Sequence, residues 1–174
     1  TSGGFNEATT LLCLHATDAN SRQFQALLPQ IAADRSVYAL DLPGCGESDA
    51  PAGVLRPADH ALALEDFAAD LRLRQFDVIG LAEGAAIAVE LAIAQSASVR
   101  RLVLIDGVFP AGTERLPEVS QPTLLWVSAA AEAATAKYRS LLRQARTLSL
   151  PAPWTSALEQ DAPTLAAALR DFLS

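Results

Sequence analysis

Gly80-Leu81-Ala82-Glu83-Gly84 is the stretch of this chain whose spacing could serve chemistry. Phe76, Val78 and Ile79 read as a buried strand stopping at Gly80, and Ile87, Leu91 and Ile93 recur at helical spacing behind Gly84. A strand, a tight turn and a helix would lift the middle residue of the turn above the end of a sheet. Glycines at both ends, with Ala85 and Ala86 following, let the helix start press against the strand it has left. The lifted residue is Ala82, whose methyl group cannot attack a substrate. Any chemistry must therefore come from other groups at the same sheet edge. His15 ends an apolar run, Thr17 and Asp18 follow it, Glu83 sits in the turn, and Asp106 ends another apolar run.

The elements needed to position these groups follow in chain order. Residues 1–9 read as a polar entry segment. Leu11–His15 is a strand buried on both faces, and Phe24, Leu27, Leu28 and Ile31 form a helical face after a capped loop. A strand over Ser36–Asp41 feeds a glycine-punctuated loop, and Pro57 opens a helix carried on by Leu62, Leu64, Phe67, Ala68 and Leu71. Val99–Asp106 and Pro122–Ser128 are further strands, joined by an aperiodic connection. An alanine-rich helix to about Arg143, a short strand over Thr147–Leu150 and a terminal helix with Leu165, Ala168, Leu169 and Phe172 on one face complete the chain. Strands alternating with helices predict one domain over residues 1–174: a three-layer α/β/α sandwich on a mostly parallel sheet of roughly six strands.

Composition narrows the classes. A chain with 51% hydrophobic and 19% charged residues suits one soluble globular core. A net charge of −7 argues against nucleic acid or an anionic membrane as partner. No apolar run is long enough for a membrane span, and the polar start lacks the pattern of a signal peptide, so a cytoplasmic setting and a bacterial-type acidic surface are expected. Cys13 and Cys45 form neither a disulfide framework nor a zinc spacing; Cys13 reads as core, Cys45 as a thiol in a glycine loop. Neither a metal nor a cofactor is expected.

Several motifs in order resemble the α/β-hydrolase superfamily. The turn at residues 80–84 is similar to its nucleophile elbow, G-x-S-x-G, with Ala82 in the serine position. Leu11–His15 followed by Ala16 resembles the strand and His-Gly oxyanion loop. Asp41-Leu-Pro-Gly-Cys-Gly-Glu-Ser48 matches the D-x-P-G-x-G-x-S loop, Arg101–Gly107 the next strand, and Leu158-Glu-Gln160 with its helix the ending. The resemblance implies a triad of nucleophile, histidine and acid, with backbone N–H groups after the nucleophile and at Thr17 binding the oxyanion. All three triad roles are empty here. The histidine position falls at about Pro153, no histidine follows His60, and Ala129 or Ala130 stands for the acid, unless Glu132 or Asp106 substitutes. Carboxylates at Glu83 and Asp18 would oppose a developing oxyanion. The family's helical cap is also missing, since only a short connection follows Asp106.

The expectation is a pseudoenzyme: a catalytically inactive, cap-less relative binding a partner protein or small ligand at the former active-site crevice, lined by His15, Thr17, Asp18, Ala82, Glu83 and Asp106. The alternative is a hydrolase- or lyase-type enzyme using His15, Glu83 and Asp106 without a serine nucleophile. A third possibility, a site completed by another polypeptide, leaves a homo- or hetero-oligomer open. Beside these stand plainer expectations. His15 and Asp106 serve structure, Ser48 fixes its turn, Trp126 is core, and His60 lies on the surface.

Overall fold

The computed structural model describes residues 9–150 and 152–174. The entry segment expected over residues 1–9 lies, Thr9 apart, outside them. Six strands form one sheet in the order β2-β1-β3-β4-β5-β6, and every neighbouring pair is parallel. They are β1 (Thr10–Leu14), β2 (Val37–Leu40), β3 (Phe76–Leu81), β4 (Val99–Ile105), β5 (Thr123–Val127) and β6 (Ala145–Ser149). The helices are α1 (Leu28–Ile31), α2 (Pro57–Asp70), α3 (Gly84–Ala94), α4 (Glu132–Arg139), α5 (Trp154–Gln160) and α6 (Ala162–Leu173). This is the expected three-layer α/β/α arrangement, with no cap domain among the described residues.

Two cores follow from strand alternation. Leu12, Leu14, Phe76, Val78, Leu102, Leu104, Leu125 and Val127 point to the face covered by α2 and α3. Leu11, Cys13, Ile79, Leu81, Val103, Ile105, Leu124 and Trp126 point to the face that packs with Ile31 of α1, Ala157 and Leu158 of α5, and Leu165, Leu169 and Phe172 of α6. Successive side chains alternate between faces, so covering both faces explains the near-continuous apolar runs. Burial pushes the Cys13 thiol pKa far above its ordinary value. Eight residues of α3, from Gly84 through Val89 with Leu91 and Ala92, are buried, because α2 covers the side turned away from the sheet.

Several boundaries differ from expectation, among them β6, which runs over Ala145–Ser149 rather than Thr147–Leu150. β3 continues through Gly80 to Leu81, since β4 pairs with it to the end, Leu81 opposite Ile105. The helical face over Phe24–Ile31 divides into a 3-10 turn at Ser21–Phe24 and the single turn of α1, where Pro29 lies in the first turn. The alanine-rich helix is confined to Glu132–Arg139. The connection after Asp106 is tied down: Leu116 and Val119 are buried, Arg115 bridges Glu90 of α3 and Glu118, and Gln121 Nε2 donates to the Ala92 carbonyl at 2.7 Å.

The order β2-β1-β3 places a switch in chain direction between β1 and β3, and the loops leaving their C-terminal ends meet there. α3 starts at this switch because two glycines permit it. A Cβ on Gly84 would lie 2.5 Å from the His15 carbonyl oxygen and 2.6 Å from that of Leu14; one on Gly80 would lie 2.5 Å from the Gly84 oxygen. Gly84→Ala is therefore expected to lower unfolding stability by about 1–3 kcal/mol or more, since backbone has to move. Chemical denaturation against Gly53→Ala, where the added Cβ meets nothing within 4 Å, is the comparison. Equal midpoints would contradict the close approach.

Candidate functional site

The site is built from the ends of β1, β3 and β4. At the end of β1, His15 is fully buried. Its Nε2 accepts the Leu42 N–H at 2.9 Å and its Nδ1 lies 2.7 Å from the Ala16 carbonyl oxygen. Accepting at Nε2 fixes the proton on Nδ1, so the ring is neutral and both nitrogens are engaged. His15 thereby fastens the loop after β2 and has no nitrogen left for a substrate. The chain then turns outward: Thr17 and Asp18 are exposed, and Asp18 takes φ 60°.

At the end of β3, Ala82 takes φ 47°, a left-handed conformation that costs a non-glycine residue roughly 1–3 kcal/mol. Neighbouring strands impose it. The Ala82 N–H donates to the Ile105 carbonyl at 2.9 Å, and its own carbonyl accepts the Val108 N–H at 2.9 Å. The elbow shape is present and carries a methyl group, 8% exposed. Beside it, Glu83 is half-buried, and its Oε2 accepts the Thr17 N–H at 3.3 Å. The donor that the resemblance assigns to an oxyanion thus faces a carboxylate of the chain itself.

At the end of β4, Asp106 is buried with φ 44°. Its two carboxylate oxygens accept the Ser128 N–H and Ser128 Oγ–H, each at 2.7 Å, tying the end of β4 to the end of β5. The structural role expected of Asp106 is thus this strand-to-strand tie. Ala129 and Ala130 are exposed, and Glu132, the other substitute acid, pairs with Arg139 at 2.9 Å on the surface. After β6, Pro153 precedes α5 and Trp154 opens it, half-buried against the α5–α6 core. Neither can take a proton from a nucleophile.

Of the six residues proposed from sequence, Thr17 and Glu83 are in contact and Ala82 adjoins them. His15 and Asp106 flank the elbow from neighbouring strands with their polar atoms committed to backbone or Ser128, and Asp18 is turned to solvent. The loop after β2 is similarly self-contained. The Asp41 carboxylate accepts the Ser21 N–H at 2.7 Å and the Glu47 N–H at 2.9 Å, and Ser48 Oγ donates to the Asp41 carbonyl at 2.6 Å, the turn-fixing role expected of Ser48. The Glu47 and then the Ser21 bonds lower the Asp41 pKa to about 2. Among the described residues no group of three or more His, Cys, Asp or Glu side chains is placed to hold a metal ion, and no helix is long and apolar enough to cross a membrane.

Residues 11–174 match the model of the alpha/beta hydrolase family. The chain belongs to that family. It is 37% identical over 91 residues to a pimeloyl-[acyl-carrier protein] methyl ester esterase of Neisseria meningitidis serogroup B, covering 52% of this chain and 33% of that protein. It is 36% identical over 86 residues to a 2-hydroxymuconate semialdehyde hydrolase of Pseudomonas sp. strain CF600, covering 47% and 29%. These matches span about a third of the relatives' length. A thermophilic esterase of Thermogutta terrifontis superposes with a TM-score of 0.85 at 17% identity, over 95% of this chain and 89% of that one, a likeness of fold.

His60 departs from the sequence expectation. It is half-buried rather than on the surface, and its Nδ1 is sealed from solvent without a hydrogen-bond partner. No periodicity could reveal this, because Pro57 sets the helix start and the packing of α2 decides which side is covered. Burial lowers the His60 pKa from 6.5, outweighing the attraction of Asp59. A lowered folded-state value means that the unfolded chain binds the proton first, so stability falls as pH drops below about 6.5. His60→Leu should flatten that fall in denaturant midpoints measured from pH 7.5 to 5. An unchanged slope would show that His60 is not its source.

Proposed function

We propose that this chain is a non-hydrolytic member of its family, holding a small ligand or a segment of a partner protein in the crevice above Ala82. The observation carrying this reading is Glu83 Oε2 at 3.3 Å from the Thr17 N–H, beside an elbow with no nucleophile. Acyl transfer needs preorganised donors aimed at a developing negative charge. A carboxylate at that donor both occupies it and repels the charge, so the crevice favours a group that donates hydrogen bonds over one that becomes an oxyanion. Two unpaired cysteines, Cys13 and Cys45, support a reducing, cytoplasmic setting. The acid–base alternative now rests on Glu83, because the nitrogens of His15 and the oxygens of Asp106 already have partners.

The purified protein is expected to hydrolyse p-nitrophenyl butyrate no faster than the same protein after heat denaturation. Ala82→Ser should add less than about tenfold, since a serine without a general base stays protonated. Stopped-flow absorbance would reveal an acyl-enzyme burst. A burst equal to the enzyme concentration, followed by turnover in either protein, would overturn the proposal.

A further inference from the structure

The loop after β2 and the core-facing side of α2 line an open groove of about 450 Å³ that shares no lining residue with the elbow. Its volume falls in the range of small-molecule sites. Leu40, Leu42, Ala63 and Phe67 supply apolar wall, and Asp41 and Asp49 are the charged groups that line it. The wall is braced: Phe67 meets Tyr38 edge to face with ring centroids 5.6 Å apart, and the loop is pinned by the bonds to Asp41 already described. A rigid groove loses little on binding.

The charge around it has one sign. Residues 41–50 carry Asp41, Glu47 and Asp49 and no lysine or arginine. The two Asp41 oxygens are already engaged by backbone N–H groups, whereas Asp49 is exposed at the mouth. From an apolar interior of this size and an anionic mouth with no lining cation, we infer that this groove binds a small cationic amphiphile, an alkyl or arylalkyl amine. Its hydrocarbon would lie along Leu40, Leu42 and Phe67 and its ammonium would face Asp49. A carboxylate of the same shape would meet repulsion there.

The test is titration of the uniformly ¹⁵N-labelled chain with 4-phenylbutylamine, 4-phenylbutanol and 4-phenylbutyrate, followed by amide shifts. The amine should bind tightest and the carboxylate weakest, with shifts at residues 40–49 and 63–67. Added salt should weaken the amine but not the alcohol. Asp49→Asn should weaken the amine by about threefold while sparing the alcohol, as expected of an exposed charge pair. Ala63→Phe, checked for an unchanged fold by its amide spectrum, should abolish binding of both. Equal affinity for amine and carboxylate, shifts centred on Thr17, Ala82 and Glu83, binding that survives Ala63→Phe, or no saturable shifts up to millimolar amine would each overturn the inference. None of these outcomes depends on whether the elbow is catalytic.

Discussion

The structure depends on how closely the first turn of α3 approaches the end of β1. Gly84 sits so near the Leu14 and His15 carbonyls that no side chain fits between them. That contact fixes where α3 starts, and α3 in turn is the surface on which α2 packs, the base to which residues 115–121 are fastened, and the wall behind the elbow. It also brings the loop after β1 within hydrogen-bonding distance of Glu83. The elbow is thus a consequence of backbone packing, and it does not need a nucleophile to persist. Ala82 keeps φ 47° because Ile105 and Val108 hold its amide and carbonyl, and those bonds belong to the β4 side of the sheet. Replacing a serine there removes chemistry without removing the constraint.

Around the elbow, His15, Asp106 and Glu83 are bound to the protein itself, while Asp18 faces solvent. His15 anchors the start of the loop after β2, Asp106 closes the gap between β4 and β5, Glu132 pairs along α4, and Glu83 reaches across to Thr17. A buried polar group needs partners to avoid a desolvation penalty of about 1–3 kcal/mol. Satisfying such groups internally stabilises the fold and removes the free donors and acceptors a reaction would use. His60 is the exception, with an unpaired Nδ1 that makes it a source of acid sensitivity rather than of support.

The fold was legible because its signals are local. Parallel strands buried on both faces give continuous apolar runs at Leu11–Leu14 and Leu102–Ile105, and the glycines at 80 and 84 mark a turn in which a helix start presses on strand backbone. The methyl group at the elbow was legible too, since Ala82 can be read directly from the G-x-x-x-G turn. The partners of polar side chains were not. His15 meets Leu42 27 residues away, Glu83 meets Thr17 66 residues away, and Asp77, unmarked in its strand, meets Arg35 and Arg100. These pairings arise when crossovers bring distant loops to one sheet edge, and no periodicity encodes them. The divided helix near Phe24 and the shortened α4 failed for a related reason: an apolar face shows that a segment is covered, not how many turns it can complete.

The distribution of charge bears on what the crevice can hold. At the N-terminal edge of the sheet, wholly buried Asp77 receives Arg100 at 3.2 Å and Arg35 at 3.4 Å, while Arg100 also donates to the Leu173 carbonyl at 2.7 Å. Burial raises the Asp77 pKa despite the opposing pull of Arg100 and Arg35, so these cations are spent on a group that is costly to keep charged. At the opposite edge, where α/β proteins bind ligands, stand Asp18, Asp41, Asp49, Glu83 and Asp106. Arg35 and Arg100, held by Asp77, lie at the edge opposite these five acids. An acyl-transfer site requires the reverse polarity at its oxyanion donors, so the sign of these charges supports the reading proposed for the elbow.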